Sequence, residues 1–294
     1  MTKTALDPRR HAYRDDLAAE TLRGKVSAPR YVAGQVRQVG HPATPLWARP
    51  DAREGWATQV LFGELVTVYE EKYGWAWVQL ARDGYVGYLR ARALSPQVKR
   101  STHKVRAPGT YLYASANAKA LPGPHLSMTA LLCVAETGPT FSRLSEGGFV
   151  PARHIAELDR FAPDFVAAAE RFVGTPYVWG GKTRLGLDCS GLVQVAMHAA
   201  GRDCPRDSDM QLAELGRDVA IRGDLEGLQR GDLVFWKGHV GTMTDGFLLL
   251  HANAHHMAVV VEPLRAAVER IARAGLPVAA IRRIEAKAAP EARD

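Results

Sequence analysis

The chain is poor in cysteine: three in 294 residues, at Cys133, Cys189 and Cys204, with no CxxC among them. An odd, unpaired set argues against a disulfide framework and against a thiolate zinc site. No apolar run approaches the roughly 18 residues that span a bilayer, so no membrane partner is expected. The opening "MTKTALDPRRHAYRDDLAAE" lacks an apolar core and a small-residue cleavage site. It therefore does not read as a secretory signal, and a cytoplasmic protein with reduced thiols is expected. Runs of five like charges are also missing. The 38 Lys and Arg against 31 Asp and Glu give +7 without a basic stripe interleaved with aromatics. That favours a solvated basic surface over nucleic-acid binding. What is present, 47% hydrophobic and 23% charged residues, is the material of a large core. The length suits two or three domains of roughly 100–150 residues.

Texture divides the chain. Residues 1–33 read as an arm, with "RDDLAAETLRG" predicting a short helix stopped by Gly24. From 34 to 160 short apolar runs are broken by Gly, Pro, Asp and Asn, the pattern of small antiparallel barrels. A faint repeat runs through this region. "PLWARPDA" is echoed by "YLYASANA" at 111–118, and "DGYVGYLRARAL" at 83–94 by "GGFVPARHI" at 147–155. Two copies of an all-β module, 34–98 and 99–160, account for it. Beyond 160 the reading is α+β. "PDFVAAAERFVG" predicts a helix with Pro163 near its first position, a buried stripe of Phe165, Ala169 and Phe172, and a stop at Gly174. A second, nearly all-apolar helix follows from Ser190 to Ala200, then strands "GDLVFWKG", "HVGTMTDGFLLLHA" and "MAVVVEPL".

Cys189 sits at the start of that second helix. Unpaired N–H groups and the helix dipole there favour a thiolate, while Asp188 opposes one, so a neighbouring imidazole is needed. Two of the ten histidines suit the role by position. If Thr244, Asp245 and Gly246 form a hairpin loop with Gly246 in the left-handed region, 243 faces 247 and 239 faces 251. His239 and His251 then share one face with Cβ atoms roughly 5 Å apart. Nucleophile, base and orienting group result. A metal site built from His239, His251, His255 and His256, perhaps with Cys189, is the weaker alternative, since neither HExxH nor CxxC supports it. Individually, a buried Cys or a strand His is more often structural.

The blocks "YVWGG", "LDCSGLVQ", "PRDSDMQ", "LQRGDLVFW", "GHVGTM" and "LLHANAHHMAV", in this order over about 160–265, resemble the NlpC-type murein peptidases, a papain-like cysteine peptidase family. The resemblance implies an NlpC-type domain at 161–294 preceded by two bacterial SH3-like barrels. It makes Cys189 the nucleophile, His239 the base and His251 the third member. It also implies a thiolate–imidazolium pair of Cys189 and His239. Tyr177 would aid the oxyanion through its hydroxyl. Asp188, Ser190 and Ser208 would hold substrate, with Asp188 near an ammonium. From the first barrel, Tyr85 and Glu64 would contact L-Ala, against the plainer readings of a core tyrosine and a turn glutamate. The members with this architecture cleave the γ-D-Glu–diamino acid bond of murein peptides that keep a free N-terminal L-Ala. No metal or organic cofactor is implied. A murein-fragment sensor, and an amidase or acyltransferase on the same Cys-His-His scaffold, are the rival readings. The sequence gives no oligomeric state and does not separate meso-diaminopimelate from L-Lys.

Overall fold

The structure is a computed structural model and describes residues 6–220 and 225–285. The arm does not form the expected helix. It makes strands at Tyr13–Arg14, Leu17–Ala19 and Arg30–Val32 with one 3-10 turn at Glu20–Leu22, although Gly24 does end the turn at φ +79°. The cause is tertiary. Leu17, Ala18 and Ala19 are buried in succession, and Leu17, Ala19 and Leu22 pack with Trp77 and Val86 of the next unit. An isolated helix of about a dozen residues is marginal in water and yields to that packing.

Two all-β units follow. In the first, a five-stranded sheet runs in the order Leu94–Ser95, Gln35–Val39, Leu65–Lys72, Trp75–Leu80, Val86–Arg90, with a hairpin of Ala43–Leu46 and Thr58–Leu61. Its core holds Val39, Leu46, Val60, Val66, Val78 and Leu89. The second unit has a core of Val105, Leu126, Leu132, Leu144 and Val150. The repeat is visible in both. Val86–Arg90 passes into a 3-10 turn at Ala91–Ala93 and then into a strand, as Phe149–Pro151 passes into Ala152–His154 and then Ile155–Glu157.

The last unit is α+β. Helix α1, Phe165–Glu170, is shorter than expected: Asp164, not Pro163, sets its start by accepting from the Val166 N–H, and turns replace it before Gly174 at φ +81°. Helix α2, Cys189–Ala199, is buried on nearly every side and ends before Gly201 at φ +69°. Helix α3, Ser208–Glu214, packs against α2, and α4, Leu264–Arg273, packs against a six-stranded antiparallel sheet. Its order is Arg217–Val219, Ala280–Arg283, Asp232–Trp236, His239–Met243, Leu248–Asn253, Ala258–Pro263. Helix α2 lies against the strands His239–Met243 and Leu248–Asn253, and their apolar side chains share one core with Leu192, Val193 and Ala196. Among the described residues no helix is long and apolar enough to cross a membrane.

Candidate active site

Asp188 precedes α2 in extended backbone and caps it, Oδ1 accepting the Gly191 N–H at 2.7 Å. Such a cap is worth about 1 kcal/mol. It also leaves Cys189 as the first helical residue, where N–H groups have no partner within the helix. The thiol is 8% exposed. Burial, with Asp188 adding to it, pushes the Cys189 thiol up to about 12, although the Val240 and Ser190 backbone N–H groups favour its charged form. The Val240 contact seats the sulfur beside the strand that begins with His239.

Asp188 does not stand as an isolated acid awaiting a cation. Its Oδ2 accepts from the Gly180 N–H at 2.8 Å and from Arg206 Nη2 at 2.7 Å. Arg206 is 1% exposed. Its Nη1 donates to Ser190 Oγ at 2.7 Å and its Nε to Thr58 Oγ1 of the first barrel at 2.6 Å. Every arm of the guanidinium is thus used, which makes a buried charge tolerable. Asp188 and Ser190, the expected holders of substrate, form the frame of the helix start together with Arg206.

The histidine hairpin keeps its face but not its register. Thr242 faces Leu250 and Met243 faces Leu249, two residues away from the expected pairing. The Asp245 carboxylate, accepting from the Phe247 and Leu248 N–H groups, sets the loop at 245–247, and Gly246 is not left-handed. A slip of two preserves the side on which residues point. His239 and His251 become diagonal neighbours, with His239 Nε2 2.8 Å from His251 Nδ1. Gly241 makes room: a Cβ there would lie 3.2 Å from the His251 Cβ and 2.7 Å from Leu249. Burial pulls the His239 imidazole down to about 3 and lowers His251 as well. Burial thus disfavours the charged form of each group taken alone.

Tyr177 is half-buried on the loop before α2, and burial together with the nearby Cys189 and Asp188 pushes its hydroxyl up to about 12. On the barrel side, Tyr85 is buried and donates to Asp207 Oδ2 at 3.0 Å. Arg9 of the arm donates to the same oxygen at 2.9 Å. Burial raises the Asp207 carboxyl despite both Arg206 and Arg9. Ser208, half-buried, opens α3 next to it. Among the described residues no hydrogen bond joins Glu64 to Tyr85 or Asp207. It is 4% exposed, accepts the Leu61 N–H through Oε2 at 2.8 Å and has Oε1 3.5 Å from Arg82 Nη1, with no hydrogen bond to that oxygen.

Residues 174–270 match the model described as "NlpC/P60 family", and 46–94 match "Bacterial dipeptidyl-peptidase Sh3 domain". A protein of Bacillus subtilis named gamma-D-glutamyl-L-lysine dipeptidyl-peptidase is 31% identical over 66% of this chain and 71% of its own length. The chain belongs to the NlpC/P60 family. It is a cysteine peptidase by that membership, with an SH3-like region before the peptidase domain. "Dipeptidyl-peptidase 6" of Lysinibacillus sphaericus is 27% identical over 71% of this chain and 84% of its own. In fold, a crystal structure of an NlpC/P60 family protein from Bacillus cereus superposes with a TM-score of 0.70, covering 85% of this chain and 99% of that one at 21% identity.

Sequence reasoning missed Arg206 and Asp207, although both lie inside the quoted "PRDSDMQ" block. The signal available was weak, because Arg202, Asp203 and Asp209 put further charges in the same stretch. Their partners, Thr58 and Tyr85, lie 148 and 122 residues away. It also missed Glu262, which lies 2.7 Å from His251 Nε2.

Proposed function

We propose that this peptidase hydrolyses the γ-D-Glu–diamino acid bond of murein peptides that carry a free N-terminal L-Ala. Arm 1–33, barrels 34–98 and 99–160 and peptidase domain 161–294 form the working architecture. The observation that carries the reading is the placement of Tyr85 and Asp207 beside the Asp188–Arg206 frame that seats Cys189. Asp207 Oδ2 is occupied, but among the described residues Oδ1 accepts no hydrogen bond. That oxygen and the Tyr85 hydroxyl suit the ammonium of L-Ala, with Ser208 adjoining. An ammonium would offset the burial that raises the Asp207 carboxyl.

The Cys189 thiol gives its proton to His239, and Sγ attacks the γ-carbonyl of D-Glu. The Cys189 backbone N–H and the Tyr177 hydroxyl receive the oxyanion. The protonated His239 then delivers its proton to the departing diamino acid amine. Water, deprotonated by His239, hydrolyses the thioester and releases L-Ala-D-Glu. His251 orients His239 throughout. The same chemistry on a murein peptide places the enzyme in cell-wall peptide recycling, with a cytoplasmic site of action.

The test is the release of L-Ala-D-Glu from L-Ala-γ-D-Glu-meso-diaminopimelate and from its L-Lys counterpart, with Cys189→Ala beside the native chain. Cleavage that disappears in the variant supports the reading. Binding without cleavage by the native chain favours the sensor instead.

A further inference from the structure

His251 has a partner on each ring nitrogen. His239 Nε2 lies 2.8 Å from Nδ1, and Glu262 Oε1 lies 2.7 Å from Nε2. Glu262 belongs to the strand Ala258–Pro263, next to the strand of His251. It is itself gripped by Arg270 of α4, which donates from Nη1 to Oε2 at 2.7 Å and from Nη2 to Oε1 at 2.6 Å. Burial raises this carboxyl, but the hydrogen bonds from Arg270 and His251 outweigh it and pull it down to about 2. Glu262 is therefore a carboxylate across the working pH range, and a carboxylate only accepts.

That fixes the protons in sequence. His251 must carry its proton on Nε2 to donate to Glu262, so His251 Nδ1 is bare. His239 must then carry its proton on Nε2 to donate to that bare nitrogen. Its Nδ1 keeps the only free lone pair of the ring, which is what a base for the Cys189 thiol needs. Asn253 Nδ2 lies 3.0 Å from His251 Nε2, but a nitrogen donating to Glu262 cannot accept from it. The Asn253 amide is instead held through Oδ1, which accepts the His256 N–H at 2.8 Å.

We propose that Glu262, locked by Arg270, is a positioning residue: it sets the tautomers of His251 and His239 and supports the imidazolium that forms when His239 takes the Cys189 proton. The catalytic line extends to four members, with Arg270 as anchor. This rests on Cys189 and His239 being nucleophile and base, but not on the identity of the peptide. The charged and titratable groups around the two rings are Cys189 from α2, Glu262 from the neighbouring strand, His256 from the loop before it and Arg270 from α4. Glu262 favours protonated His239 and Arg270 disfavours it. Removing each should move the acidic limb of the rate profile in opposite directions.

The experiment is ring-nitrogen NMR of the full chain labelled with 15N-histidine, followed by pH profiles of kcat and KM. In the native chain both rings should carry the proton on Nε2. Glu262→Gln should mix the His251 tautomers, lower kcat about tenfold with KM within twofold, and shift the acidic limb to lower pH. Arg270→Gln should shift that limb to higher pH with a smaller loss of kcat. A native His251 protonated on Nδ1 overturns the proposal whether or not any variant folds and whether or not the peptide is cleaved. So does a folded Glu262→Gln chain that keeps both its tautomers and its kcat. If the native tautomers are as stated but no peptide is cut, the substrate reading fails and the positioning of the two rings stands.

Discussion

The two barrels share a repeat but not a task. The first is tied to the centre of the peptidase domain. Thr58 accepts from Arg206, Tyr85 donates to Asp207, Asp83 accepts from buried Gln194 of α2, and Gln59 accepts the Lys182 N–H. Met210 of α3 is counted within this barrel's own core. The second barrel meets Arg184, Arg171 and the α2 core. Ser127 accepts the Arg184 N–H at 3.2 Å, Arg171 donates to the Arg106 carbonyl, and Met128 fills part of the α2 core. The sequence echo aligns Tyr85 with Phe149 and Asp83 with Gly147. The second copy keeps the strand and the 3-10 turn but lacks the hydroxyl and the carboxylate. A scaffold was duplicated, and the polar tips of one copy carry the recognition.

Perturbing the first barrel's anchors should therefore change kinetics, and perturbing the second's should change only stability. The largest effect is expected at the hub. Arg206→Met leaves Asp188 buried and unpaired, a loss of about 3–5 kcal/mol that denaturant unfolding would detect, together with loss of cleavage. Tyr85→Phe, which makes the first barrel resemble the second, should lower kcat/KM about tenfold on the free peptide, read in steady-state kinetics. Ser127→Ala at the matching seam of the second barrel should leave kcat/KM within twofold.

Asp207 offers a pH-dependent version of the contrast. Its carboxyl is raised by burial, so its contribution to stability is present below the ordinary carboxylate range and lost as pH rises through the raised value. Asp207→Asn should then melt no lower than the native chain at pH 7 and lose that parity near pH 3, while its cleavage rate at pH 7 falls. Thermal melts at the two pH values, with a parallel assay, check the sign. Smallest of all is Glu64→Gln. It should cost about 1 kcal/mol through the turn and leave kcat/KM unchanged, since its carboxylate serves Leu61 and Arg82.

Much of this was legible in the sequence. The period-2 runs marked the strands, and the small residues around Cys189 marked the start of α2. His239 and His251 lie an even number of residues apart, so the expected hairpin and the observed one, two residues away, both put them on one face. What stayed hidden depended on partners distant in the chain. Nothing local says that Asp188 meets Arg206, that Arg206 reaches back to Thr58, or that Glu262 closes behind His251. The arm misled for the same reason: Leu17, Ala18 and Ala19 are consistent with a helix, and only the Trp77 surface turns them into a strand. The burial of both Cys189 and His239 is likewise a property of packing.

The most direct measurement is the ratio of kcat/KM for L-Ala-γ-D-Glu-meso-diaminopimelate to that for its N-acetylated form, taken in the native chain and in Asp207→Asn. A site built around a half-buried carboxylate and the Tyr85 hydroxyl should prefer the free amine by about a thousandfold or more in the native chain, with the preference collapsing in the variant. Equal cleavage of the two peptides by the native chain would contradict the claim that the first barrel and Asp207 read the amine.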